Sequence, residues 1–298
     1  MKREIAITVI GVIILSSILI APIITARYTK PIEIGVITST ESAYDNSVML
    51  FEEILEPDIN EYVGKLSRRR FWPNIRFDFI VEHADGNPDV HLEKIDMFHD
   101  AGIDLIIGGY WSSQANASLD YVNENNMLLI SPSSTAPVLT IPGINLFRLA
   151  PSDPAQGKVT VKMMDSKGID EVIVIYRDDP WGNGVYHAFV DEFEAIGGII
   201  LGAHSYDPES DFFTEILDNA EMEASGATNL GILLISFDEV KDIIMEASDG
   251  RYPTIYNPPW FGYESAGRSM VTLNEAPDQA VYLNIQRIIY STEINAVQ

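Results

Sequence analysis

The chain has 298 residues, 46% of them hydrophobic, which allows one large or two ordinary α/β domains and is too apolar for wholesale disorder. Its formal net charge is −25, and beyond residue 30 only 15 basic side chains stand against 43 acidic ones. Such a surface repels phosphate backbones and argues against nucleic acid as a partner. There is no cysteine, which excludes disulfides, thiolate catalysis, cysteine-ligated metals and an anchor built on a lipidated cysteine.

Residues 1–30 begin with Lys2 and Arg3 and continue as an uncharged run of 22 residues, Ile5 to Ala26, closed by Arg27. A helix of that length spans roughly 33 Å, close to the hydrocarbon thickness of a bilayer. The basic start is expected inside, which puts the acidic remainder outside the cytoplasm. Secretory apolar segments are shorter, and Ile24-Thr25-Ala26 makes an indifferent cleavage site. An uncleaved anchor is therefore favoured over a cleaved signal.

From Pro31 onward, short apolar runs alternate with amphipathic stretches, the pattern of parallel sheets wound with helices. Strands are expected at Ile32–Ile37, around the alternating Ile75, Phe77, Phe79 and Val81, at Ile103–Ile107 and at Met127–Ile130. The first helix should start near Ser42 or Tyr44, and a second follows the Asp85-Gly86-Asn87-Pro88 turn. The basic cluster Arg68-Arg69-Arg70 reads as a solvated turn between helix and strand. The pattern pauses at Asn145–Asp153, a hinge candidate around residues 147–152, and then restarts. Strands are expected at Val172–Tyr176, Ile199–Ala203, Leu230–Ile235, Thr254–Phe261 and Ala280–Ile285, with helices between them.

Nucleotide loops are absent, because no Gly-x-Gly-x-x-Gly follows a strand and no Gly-x-x-x-x-Gly-Lys-Ser/Thr occurs. Ser265 lies one residue too far from Gly262 for a nucleophile elbow. His91 and His99 sit two helical turns apart, too far to share a metal ion, and read as surface residues of a helix. Asp178 and Asp179 are adjacent and so point apart rather than forming an acid–base pair. No enzyme, metal site or cofactor is expected.

Two hydroxyl-rich segments fall where ligands bind in open α/β sheets, at the carboxyl ends of strands. Ser112-Ser113 follows the strand ending at Gly109 and opens a helix; Ser131-Pro132-Ser133-Ser134-Thr135 follows Met127–Ile130. A helix N-terminus there offers free N–H groups to a carboxylate, and the hydroxyls add donors. Helix capping explains one such site equally well.

These stretches resemble the branched-chain amino-acid-binding protein family, the type I periplasmic-binding fold. The resemblance rests on Ile-Gly-Gly-Tyr-Trp-Ser-Ser at 107–113, Ile-Ser-Pro-Ser-Ser-Thr-Ala-Pro-Val-Leu-Thr at 130–140, Phe-Arg-Leu-Ala-Pro-Ser-Asp-Pro-Ala-Gln-Gly at 147–157 and Asp-Phe-Phe-Thr-Glu-Ile-Leu at 211–217. It implies an α/β chain of two Rossmann-like lobes with parallel sheets joined by a hinge, preceded by the hydrophobic helix. Residues 1–30 would be the membrane anchor or signal, 31–148 lobe 1, 149–283 lobe 2, and 284–298 a shortened return towards lobe 1. The family's chain crosses between lobes three times, so lobe 1 is expected to lack its last segment here.

The resemblance further implies that Ser112 and Thr135 grip a ligand carboxylate, that Ser133 offers a backbone carbonyl to an ammonium, and that Ser134 between them also lines the site. Glu264 would pair with that ammonium, and Tyr44, Trp181 and Phe237 would wall the cleft. Trp181 and Phe237 stand where better-known members carry tyrosine, which implies a less polar wall. The implied role is capture of an amino acid or similar small polar ligand outside the cytoplasm for an ABC permease. The ectodomain of a sensor and a truncated remnant of a binding protein are the alternatives.

Overall fold

The computed structural model describes residues 31–70, 75–263 and 286–287. By internal contacts the chain divides into two compact units. One runs through Pro132 and takes in Ile144–Leu149; the other comprises Ser133–Gly143 and the chain from Ala150 onward. Ser133–Gly143 thus groups with the second unit, although it precedes the hinge expected at residues 147–152.

The first unit is built on five parallel strands in the order β2-β1-β3-β4-β5: β1 Ile32–Thr38, β2 Phe77–His83, β3 Leu105–Ile107, β4 Leu128–Ser131 and β5 Leu146–Arg148. Strand β5 occupies the segment where a pause is expected, pairing Phe147 with Ile130 in register. After β1 the chain forms α1 (Glu41–Val48), a π-helical stretch Met49–Leu55 and α2 (Glu56–Arg70) in unbroken succession. The helix therefore runs through Arg68-Arg69-Arg70 instead of turning there; arginine is among the better helix formers. Val36, Phe79 and Val81 pack with Tyr44, Val48, Phe51 and Ile59 of this helical run.

The same run closes the open edge of the sheet. Strand β2 is the outermost strand, and its N–H groups at Phe77, Phe79 and Val81 donate to Asn60, Glu56 and Glu52. Four helical residues rise about 6 Å and two strand residues about 6.6 Å, so side chains four apart meet alternate strand residues. Three donors that would invite another strand are thereby occupied.

Helix α3 (Pro88–Asp100) is capped by the Asn87 side chain, which accepts from the Asp89 and Val90 amides. Helix α4 (Ser112–Glu124) follows β3 directly. His91, expected on the surface, is fully buried with Ile95 and Phe98 on the inner face of α3.

The second unit repeats the same winding. Its strands are β6 Glu171–Arg177, β7 Ile199–Tyr206, β8 Leu230–Ile235, β9 Trp260–Gly262 and β10 Gln286–Arg287, ordered β7-β6-β8-β9-β10 and all parallel. Strands β6 and β8 are apolar along their length because both faces are covered. Ile173, Ile175, Ile232, Leu234 and Trp260 face α7 (Thr214–Glu223) and α8 (Val240–Ala247). Val172, Val174, Leu233, Ile235 and Phe261 face α5 (Pro154–Ser166) and α6 (Pro180–Ala195). A short helix α9 (Pro253–Tyr256) precedes β9.

The α/β fold with parallel sheets is therefore as expected. The apolar helix expected over residues 1–30 lies outside the described residues, as does the strand expected at Ala280–Ile285. Among the described residues no helix is long and apolar enough to cross a membrane.

Candidate functional site

In each unit the winding reverses beside its first strand: between β1 and β3 in one, between β6 and β8 in the other. Crevices at the carboxyl ends of such strands are the ligand sites of doubly wound sheets. Of the sequence-expected residues, Tyr44 and Ser112 fall by the first of these places and Trp181 and Phe237 by the second.

In the first unit, Tyr44 follows β1, Ser112 follows β3 and Ser131 ends β4. Tyr44 is half-buried, its ring edge-on to His83 at 5.3 Å. Ser112 is buried at the first position of α4, where the helix leaves its amides without intrahelical partners. Ser131 is buried and donates to the Gly109 carbonyl at 2.7 Å, tying the end of β4 to the turn that leads into α4. Gly109 adopts φ +62, and a Cβ there would lie 2.9 Å from that of Ala115, so both backbone and packing require glycine.

Behind this turn stands His91. Its Nε2 accepts the Gly109 N–H at 2.8 Å, which leaves the proton on Nδ1 to be donated to Ser118 Oγ at 2.7 Å. Burial lowers its pKa to about 4, so the ring is neutral. His83 and His99 are partly exposed and pair with Asp85 and Asp104. Among the described residues no three His, Asp or Glu side chains form a metal-binding group.

Ser133, Ser134 and Thr135 belong to the second unit by contacts. Ser133 is exposed, while Ser134 and Thr135 are buried, and the Thr135 carbonyl accepts the Asp153 amide at 3.2 Å.

At the β6/β8 reversal the structure brings Trp181 and Phe237 together, stacked with centroids 4.7 Å apart. Trp181 also meets Tyr263, just past β9, edge-on at 6.5 Å. The sequence singled out neither Tyr263 nor the group that holds the pair. Arg177, buried at the end of β6, places its guanidinium carbon 4.1 Å from the Phe237 ring centre. Its Nε bonds Asp179 at 2.7 Å and its Nη1 bonds Glu239 at 2.6 Å. Asp179 accepts the Gly182 amide at 2.7 Å, capping α6 beside Trp181, and Glu239 accepts the Phe237 amide at 2.8 Å. One cation thus fastens both aromatic-bearing loops. The visible signal was a lone arginine ending an apolar strand, with acids two residues beyond it and two beyond Phe237. Glu264 lies outside the described residues. A separate open pocket, lined by Lys167, Thr228, Asn229, Thr254 and Pro259, lies by the amino ends of β6 and β8, away from this cluster.

The sequence profile described as receptor family ligand binding region matches residues 66–296. The chain belongs to this family. An uncharacterized protein of Methanocaldococcus jannaschii is 27% identical over 265 residues, covering 86% of this chain and 62% of its own. A Leu/Ile/Val-binding protein of Rhizobium johnstonii is 27% identical over 190 residues, covering 62% of this chain and 49% of its own. The crystal structure of a leucine binding protein from Thermotoga maritima matches with a TM-score of 0.62 at 17% identity, over 85% of this chain and 66% of that one. That likeness concerns the fold. The chain spans about half to three-fifths of the length of these curated relatives. Family and sequence relatives agree with the resemblance to branched-chain amino-acid-binding proteins.

Proposed function

We propose that this protein is an extracytoplasmic solute-binding protein that captures an amino acid or similar small polar ligand and delivers it to an ABC-type importer. The observation that carries the reading is that each unit, taken by itself, sets a feature suited to a ligand at its own strand reversal. One offers a helix N-terminus with the buried hydroxyl of Ser112; the other offers the Trp181–Phe237 stack. A carboxylate suits the first, since N-terminal amides carry partial positive charge. A branched apolar side chain suits the second, where neither ring carries a hydroxyl. Following the resemblance, one ligand draws on both sets of residues, with Ser112, Ser133, Ser134 and Thr135 on its polar head and Tyr44, Trp181 and Phe237 around its side chain. Glu264 then answers the ammonium. Such a site holds its ligand by charge-assisted hydrogen bonds and breaks no bond.

Residues 1–30 are proposed as the anchor that keeps the acidic body on the outer face of a membrane. A sensor ectodomain is the second reading, favoured by the receptor description of the family. A thermal-shift panel of amino acids, small amides, sugars and polyamines tests the proposal. An excess a hundredfold above the dissociation constant should stabilise the fold by about 2.7 kcal/mol. Selective shifts with branched-chain amino acids support the reading, and shifts with sugars or polyamines alone would replace it.

A further inference from the structure

We propose that His91 is a positioning residue that aims the Ser112 end of α4 at the ligand, an inference resting on the carboxylate role assigned to that helix end. The turn Gly108-Gly109 that feeds α4 is fastened on two sides. Towards β4, the Gly108 amide donates to the Ile130 carbonyl at 3.0 Å and the Gly109 carbonyl accepts from Ser131. Towards α3, the Gly109 amide donates to His91 Nε2. The other corner of the same ring donates to Ser118, six residues beyond Ser112 on α4. A single rigid side chain therefore links Gly109, three residues before the helix, to the helix's second turn, and so fixes the tilt at which the first amides emerge.

The chemistry selects histidine for this place. The link needs an acceptor at one corner and a donor at the other, both without charge, and neutral imidazole supplies that pair. There is no room for a different approach of the turn, since a Cβ on Gly108 would stand 2.9 Å from His91 Nε2. A ring that merely filled space would need neither bond.

The two bonds can be separated by substitution. Glutamine carries its amide oxygen about as far out as Nε2 and can still accept from Gly109; asparagine reaches only the Nδ1 position, towards Ser118. The full-length wild type, His91→Gln, His91→Asn and Ser118→Ala are titrated calorimetrically with L-leucine at pH 7.5, with amide hydrogen exchange read at Gly109. His91→Gln is expected within about threefold of wild-type affinity, and His91→Asn about tenfold or more weaker with faster exchange at Gly109, at matched unliganded melting temperatures. Ser118→Ala is expected to weaken binding several-fold while Gly109 stays protected. Wild-type affinity in His91→Asn or Ser118→Ala, or equal losses in both His91 variants, overturns the positioning role and leaves the proposed function standing. A wild type that binds neither L-leucine nor any other amino acid overturns the proposed function, and this inference with it.

Discussion

Replacing Arg177 by methionine should make the second unit unfold markedly more readily. The arginine side chain is 5% exposed, against 9% for Asp179 and 17% for Glu239. Methionine fills much of the same volume but removes the cation, leaving two carboxylates close together and largely shielded from water. Removing one partner of a buried ion pair costs about 3–5 kcal/mol, and the partial exposure of Glu239 places this case near the lower figure, about 3 kcal/mol. The loss should come from stranded charge rather than from lost contacts. The triple variant Arg177→Met/Asp179→Asn/Glu239→Gln keeps amide oxygens to accept from Gly182 and Phe237, and is expected within about 1 kcal/mol of wild type. Urea unfolding followed by tryptophan fluorescence gives the midpoints, provided the slope stays constant across variants. A single variant as stable as wild type, or a triple variant as damaged as the single, would refute the reasoning.

Lowering the pH should destabilise the first unit through His91. Its pKa is about 4 when folded, against 6.5 for a histidine in the open chain, so the unfolded chain takes up the proton first. Stability is then lost as pH falls from about 6.5 towards 4, by about 2.5 kcal/mol at pH 4.5, and His91→Gln should lack this component in urea unfolding across that range. Opening the β2 edge with Glu52→Ala/Glu56→Ala/Asn60→Ala should produce concentration-dependent oligomers on size exclusion, since three strand donors lose their acceptors. Gly182→Ala would bring a Cβ to 2.0 Å from the Arg177 carbonyl oxygen; the expected cost is at least about 2 kcal/mol, and a melting temperature unchanged from wild type would contradict the packing described.

The parts of the fold that were legible in the sequence are those where burial writes a simple pattern. Strands β6 and β8 are buried on both faces and so appear as unbroken apolar runs. Strand β5 left no such trace: it has three residues, and Phe147 is 62% exposed. Nothing in the sequence marks the π-helical stretch, because its residues would serve equally well in an α-helix. The hydroxyls of Ser112 and Ser131 were legible because one opens the helix after an apolar strand and the other ends such a strand. His91 was misread as a surface residue for want of one comparison: it shares a stripe with Ile95 and Phe98, spaced as one buried helical face. Arg177 was missed because one of its two partners, Glu239, is brought in by the pairing of β6 with β8, a long-range event that local pattern does not encode.

The central claim is that this protein binds a small amino acid through its carboxylate and its apolar side chain. Calorimetric titration of the full chain with L-leucine, L-leucinamide and L-serine tests it most directly. L-leucine should bind saturably at one site with a negative heat-capacity change. L-leucinamide, lacking the carboxylate, and L-serine, lacking the apolar side chain, should each bind at least about tenfold more weakly. Equal affinity for L-leucine and L-leucinamide, or no saturable heat with any of the three, would contradict the account.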